Sequence, residues 1–153
     1  MRVYALSNDF LESRKEDMSV VLQPHVEERL RSDRMVWLTT VRPNGRPHTI
    51  PVWFIWENAT ILIFSKVKTQ KVRNLHQNHS VMLALDDTKN GRDVVILEGT
   101  AELLERGEGH DALEAYSEKY REGLQRIGVT AEQFTMLYSQ PIRVTPIRLI
   151  TGQ

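Results

Sequence analysis

The chain has 153 residues, balances 20 Lys and Arg against 20 Asp and Glu, and contains no cysteine. That length suits one domain with a real core, the even charge gives no overall field towards nucleic acid or anionic membranes, and the missing thiols exclude disulfides, thiolate nucleophiles and Cys-ligated zinc. The fold must rest on packing and any anion site must be local; with no signal-like or membrane-spanning apolar stretch, a soluble cytoplasmic protein is expected.

Residues 1–22 mix charge with isolated apolar side chains and show no period, so they read as an N-terminal arm ahead of a single domain over 23–153. From Pro24 the spacing of Val26 and Leu30, with acidic residues early and arginines late, predicts a short amphipathic helix. MVWLTTV (35–41) and HTIPVWFIW (48–56) are rich in β-branched and aromatic residues, and Pro43-Asn44-Gly45 supplies a turn between them. The second of these strands is apolar on both faces, which points to cover from a partner copy as well as from the core.

TILIFS (60–65) predicts a third strand after a turn at Glu57-Asn58. TQKVRNLHQN (69–78) then switches to helical spacing, with Thr69 at the N-cap position. SVMLALD (80–86) and VVILEGTAELLE (94–105) read as an antiparallel pair around a turn at Asn90-Gly91. Leu113, Tyr116 and Tyr120 mark one helix, and Thr130 with Gln133 forms a capping box for another beyond Gly128. In PIRVTPIRLI the apolar parity changes across Pro146, so a β-bulge is expected there. Six strands in hairpins without βαβ alternation predict a mainly β fold with peripheral helices, a six-stranded antiparallel barrel.

The densest chemistry lies in FSKVKTQKVRN (64–74). A strand runs into a helix start that carries Ser65, Lys66, Lys68, Thr69, Lys71 and Arg73, two hydroxyls and clustered cations that match the needs of a phosphate monoester. The competing reading is a capped helix whose cations only solvate its outer face; it is weakened because cations oppose the dipole at a helix N-terminus unless an anion joins them. Pro51 interrupts a strand ladder and frees neighbouring backbone groups to meet a planar ring, or simply marks an edge strand. His48 and Thr49 precede it as possible hydrogen-bonding groups. Trp37 and Trp56 read as core or interface, while Trp53 remains open as a stacking residue. The five histidines lack a metal-ligand spacing, His76 and His79 giving only a weak zinc hint, and no metal site is expected.

WLTTVRPNGRPHTIPVWFIW, ILIFSKVKTQKVRNLHQNHSVMLAL, DVVILEGTAELLE and YSQPIRVTPIRLI together resemble the pyridoxamine 5′-phosphate oxidase-like, FMN-binding split-barrel superfamily, especially its deazaflavin (coenzyme F-420) branch. The resemblance runs from about Val26 to Leu149. It implies a split barrel that binds FMN or F-420, with the phosphate held at Thr69, Gln70 and Lys71 and additionally at Ser65. Gln70 departs from the usual Arg, so Lys66 or Lys68 would have to substitute. It also implies that His48, Thr49, Pro51, Val52 and Trp53 line the ring and ribityl chain, and that a homodimer completes the site. The expected activity is hydride transfer between bound cofactor and a small organic substrate. A non-catalytic flavin, deazaflavin or haem binder or carrier is the alternative, and a cofactor-free interaction domain is a third reading.

Overall fold

A computed structural model describes residues 20–85 and 89–151; residues 1–19, on which most of the expected N-terminal arm falls, and residues 86–88 and 152–153 lie outside them. The elements in chain order are α1 (Pro24–Ser32), β1 (Val36–Val41), β2 (Pro47–Val52), β3 (Ile55–Glu57), β4 (Thr60–Ser65), α2 (Gln70–Leu75), β5 (Ser80–Leu85), β6 (Val95–Leu103), a 3-10 turn (His110–Ala112), α3 (Leu113–Lys119), α4 (Arg121–Ile127), α5 (Ala131–Leu137) and β7 (Gln140–Thr151).

The strands form one antiparallel sheet in the order β2-β1-β5-β6-β7-β4-β3. Its two edge strands, β2 and β3, are separated in the chain only by Trp53 and Phe54. Opposite edges joined by so short a link must approach each other, so the sheet curls into a half-barrel around its own apolar face. Among the described residues there are seven strands, not the expected six, because the single run 48–56 is divided at that link. The backbone of Phe54 leaves the ladder there and is satisfied elsewhere: its N–H donates to the Tyr120 hydroxyl at 2.8 Å, and its carbonyl accepts from that hydroxyl at 2.7 Å and from Lys119 Nζ at 3.1 Å. A buried backbone pair without partners would cost several kcal/mol in principle, so Tyr120 makes the break tolerable.

Two cores lie on opposite faces of β4. Ile61 and Ile63 point into the barrel with Val36, Leu38, Leu83, Leu97 and Val144, closed at one end by Leu30 of α1. Leu62 and Phe64 point outward beneath Tyr116, Tyr120, Leu124 and Phe134 of the helices. Each large side chain so buried contributes roughly 1.5–3 kcal/mol, which is why a strand near the sheet edge is apolar throughout. The expected helix around Leu113, Tyr116 and Tyr120 is two, α3 and α4, broken at Tyr120 (φ −108°, ψ 21°). The capping box of α5 forms as expected: Gln133 N–H donates to Thr130 Oγ1 at 3.1 Å and Thr130 N–H to Gln133 Oε1 at 2.9 Å.

The bulge expected near Pro146 is present. Glu98 pairs with Arg148 and Gly99 with Pro146, which leaves Ile147 as the extra, half-exposed residue. Gly99 permits the close approach, since a Cβ there would stand 2.7 Å from Val144 Cγ1 and 3.0 Å from the Thr145 carbonyl oxygen. Among the described residues no helix is long and apolar enough to cross a membrane.

Candidate functional site

Among the described residues β2 pairs only with β1, and none of its residues is buried within one chain: it alternates exposed and half-buried positions. Where β2 ends at the Trp53–Phe54 link, it opens a cleft of about 290 Å³ with Ile50, Pro51, Val52 and Trp53 on one wall, Phe64, Phe134 and Tyr138 on another, and Lys71 of α2 at its polar end. The strand before the helix and the strand before the link therefore meet at one place.

Lys71 is the unusual member. Its side chain is buried, it has no hydrogen-bond or ion-pair partner among the described residues, and burial pushes its ammonium below the ordinary lysine range. α2 itself contains no acidic residue. An ammonium held out of water without a counter-charge is unfavourable, and an anion entering the cleft would relieve it.

The other residues expected at the phosphate end are adjacent to Lys71. Ser65 is buried; its hydroxyl donates to the Lys66 carbonyl at 2.9 Å and lies 3.2 Å from Thr69 Oγ1. Thr69 is the N-cap of α2, yet its hydroxyl turns back to the Lys66 carbonyl instead of capping the helix amides. Those first-turn amides are consequently left without a side-chain cap. Gln70 donates to Asn74 Oδ1 at 2.8 Å and accepts from Arg73 Nη2 at 2.9 Å, so a guanidinium stands beside the position where the resemblance expects one. Asn74, fully buried, donates onward to Thr40 Oγ1 on β1 at 2.9 Å and fixes α2 to the sheet. Lys66 is exposed, with Nζ 5.4 Å from the centroid of the Tyr138 ring that walls the cleft.

His48 stands opposite Thr40 on β1, on the face of β2 that Ile50 and Val52 share. Its Nδ1 is buried without a hydrogen-bond partner among the described residues, and burial, followed by the charges of Arg42 and Lys71, holds the ring below the usual histidine range. A neutral imidazole with an unused buried nitrogen is available to a ligand. Thr49 projects from the other face of β2 and bonds Thr39 Oγ1 at 2.8 Å, so within one chain it is not brought to the cleft. Trp53 stacks on Tyr120 (4.6 Å between centroids, 6° between planes) and on Phe134 (5.6 Å, 18°), which fixes the ring that forms the cleft wall.

Sequence reasoning missed Thr40, Asn74, Tyr120 and Tyr138. Thr40 and Asn74 carry no local signal because they are 34 residues apart; a buried polar pair of this kind becomes visible only when the sheet brings β1 under α2. Among the described residues no cluster of three metal-ligating side chains occurs.

Residues 22–147 match the family model described as pyridoxamine 5′-phosphate oxidase. No curated protein matches the sequence. Solved structures superpose over most of their length. They include an F420 reductase (23% identity, TM-score 0.66, covering 85% of this chain and 98% of that one). A haem storage protein from Vibrio cholerae is 19% identical, with TM-score 0.63 and coverage of 87% and 96%. An FAD-binding protein from Mesorhizobium loti is 17% identical, with TM-score 0.62 and coverage of 84% and 92%. At these identities the superpositions show a shared fold.

Proposed function

The chain belongs to the pyridoxamine 5′-phosphate oxidase family, and on that footing we propose that it is a flavin- or deazaflavin-dependent oxidoreductase acting on a small organic substrate. The observation that carries the reading is Lys71, buried at the end of an apolar cleft with no partner among the described residues. A cofactor phosphate would meet this ammonium and the free amides at the start of α2, and would draw the Ser65 and Thr69 hydroxyls round from the Lys66 carbonyl, each a charge-assisted or dipole-aligned contact. Arg73, hydrogen-bonded to Gln70, would supply the guanidinium that position 70 itself lacks.

When bound, the flavin or deazaflavin supplies hydride chemistry. The chain's own residues do the rest: Ile50, Pro51 and Val52 offer an apolar wall along β2, Trp53 is held rigid between Tyr120 and Phe134, and His48 presents a neutral nitrogen to a ring or ribityl hydroxyl. Few catalytic side chains are needed for such a reaction beyond orientation and exclusion of water.

A second copy of the chain would complete the site. Register aligns Pro51, Trp37, Ala84, Ile96 and Ile150 in one row across five neighbouring strands, on the face opposite the barrel core. Trp37 is 42% exposed in that row. An apolar row ending at a cleft-lining residue supports a homodimer with its cofactor at the interface.

The test is to titrate the purified protein with FMN, with coenzyme F-420 and with haem, and then to follow reoxidation of the reduced complex by small planar acceptors. Tight binding of FMN or F-420 with acceptor-dependent reoxidation is the expected result. Haem binding alone, or cofactor binding without turnover, would favour a non-catalytic binder or carrier, in line with the haem storage that the Vibrio cholerae neighbour's description names; binding of none would overturn both.

A further inference from the structure

A second hollow of about 230 Å³ shares Met35 and Trp53 with the cofactor cleft. Its floor is the Trp53–Tyr120 stack, and its rim carries three cations from separate elements: Arg34 ahead of β1, Lys119 at the end of α3 and Arg126 in α4. The geometry points to a second anion-binding site here, one that takes the carboxylate or phosphate of a small aromatic molecule whose apolar body rests against the edges of the stacked Trp53 and Tyr120 rings.

The charge balance around the hollow is positive. Arg34 reaches Glu122 only at 3.6 Å, with both side chains largely exposed. Asp33 is committed to Arg29 at 2.7 Å. Arg126 has no hydrogen-bond or ion-pair partner among the described residues. Lys119 spends one N–H on the Phe54 carbonyl, which Tyr120 already satisfies, and its Nζ sits 3.9 Å from the centroid of the Phe54 ring. Two of its three N–H donors are left for something else. Burial pushes this ammonium down to about 8, Asp33 opposing and Arg34 adding to the shift. Two guanidinium groups and a partly desolvated ammonium on one rim are suited to an oxyanion: Arg binds it bidentately, and the ring edges of the Trp53–Tyr120 stack accept its apolar body. Gly123 keeps the hollow compact, because α4 approaches Trp53 so closely that a Cβ would stand 2.7 Å from its Cη2.

This site uses none of the cations of the cofactor cleft, so it stands whether or not a flavin occupies that cleft. The probes are 1-naphthoate, 1-naphthyl phosphate and the neutral 1-naphthylmethanol, measured by isothermal titration calorimetry against the wild-type chain, Lys71→Met and the double variant Arg34→Ala/Arg126→Ala. The substituted arginines are exposed side chains outside both cores, and circular dichroism checks that the variants remain folded. The wild type should bind at least one anionic probe ten-fold or more tightly than the alcohol. That preference should persist in Lys71→Met and collapse to within about two-fold in the arginine variant. Preference for naphthoate identifies a carboxylate ligand and preference for the phosphate an ester. Equal binding of alcohol and anions by the wild type, or a preference lost in Lys71→Met and kept in the arginine variant, would overturn the assignment.

Discussion

Lys71 brings a charge against the apolar wall of a cleft, and α2 offers no carboxylate to meet it. Exchanging it for methionine keeps the volume of the stem and removes the cost of the unpaired ammonium. Lys71→Met should therefore raise unfolding stability by about 1 kcal/mol or more in urea titrations while weakening a phosphate-bearing cofactor. The sign with pH follows from linkage. Burial lowers this lysine's pKa in the folded state, so between that value and the unfolded value of about 10.4 the unfolded chain holds more protons and stability rises with pH. The advantage of the methionine variant should consequently be largest near neutral pH and shrink as pH approaches about 10. A variant less stable than wild type at pH 7 would mean that the ammonium has a protein counter-charge. At this scale the sequence was informative where the site is contiguous: Ser65, Lys66, Thr69, Gln70 and Lys71 are neighbours by chain order alone. It was silent on Thr40 and Asn74, whose contact depends on two distant elements meeting.

Among the elements, the hairpins, the α5 capping box and the Ile147 bulge were legible because turn residues, cap residues and side-chain parity are local signals. Two boundaries were not, and Tyr120 accounts for both. Its hydroxyl takes Phe54 out of the β ladder, splitting one expected strand into β2 and β3, and its own backbone breaks one expected helix into α3 and α4. The partners are 66 residues apart, so neither composition nor periodicity marks the interruption. The same region constrains α4. Glycine inside a helix is unfavourable by about 1 kcal/mol relative to alanine, yet the methyl of Gly123→Ala would meet the Trp53 ring, which is stacked on two sides and has no room to retreat. Overpacking should outweigh the gain in propensity, giving a net loss of about 1–2 kcal/mol in chemical denaturation and a shifted Trp53 emission. Stabilisation by this substitution would show that Trp53 is not held as described.

At the scale of the molecule, a seven-stranded sheet curled by a two-residue link places one apolar face inside and leaves a row from Pro51 to Ile150 outside. The half-barrel was legible in outline from strand composition and the absence of βαβ alternation; its strand order depends on pairing between distant segments and was not. If the outer row joins two copies, Trp37→Asp should convert the protein from dimer to monomer in sedimentation velocity and lower FMN affinity at least ten-fold, since Pro51 belongs to both row and cleft. A variant that stays dimeric would place the interface elsewhere. The central claim, that Lys71 anchors a cofactor phosphate, is tested most directly by comparing FMN with riboflavin, which differ only in that phosphate, on wild type and Lys71→Met. A charge-assisted contact is worth about 1.5–3 kcal/mol, so the wild type should prefer FMN and Lys71→Met should cut that preference by roughly ten- to a hundred-fold, leaving what the amides, hydroxyls and Arg73 contribute. Equal affinities for FMN and riboflavin in the wild type, or an undiminished preference in Lys71→Met, would contradict the account.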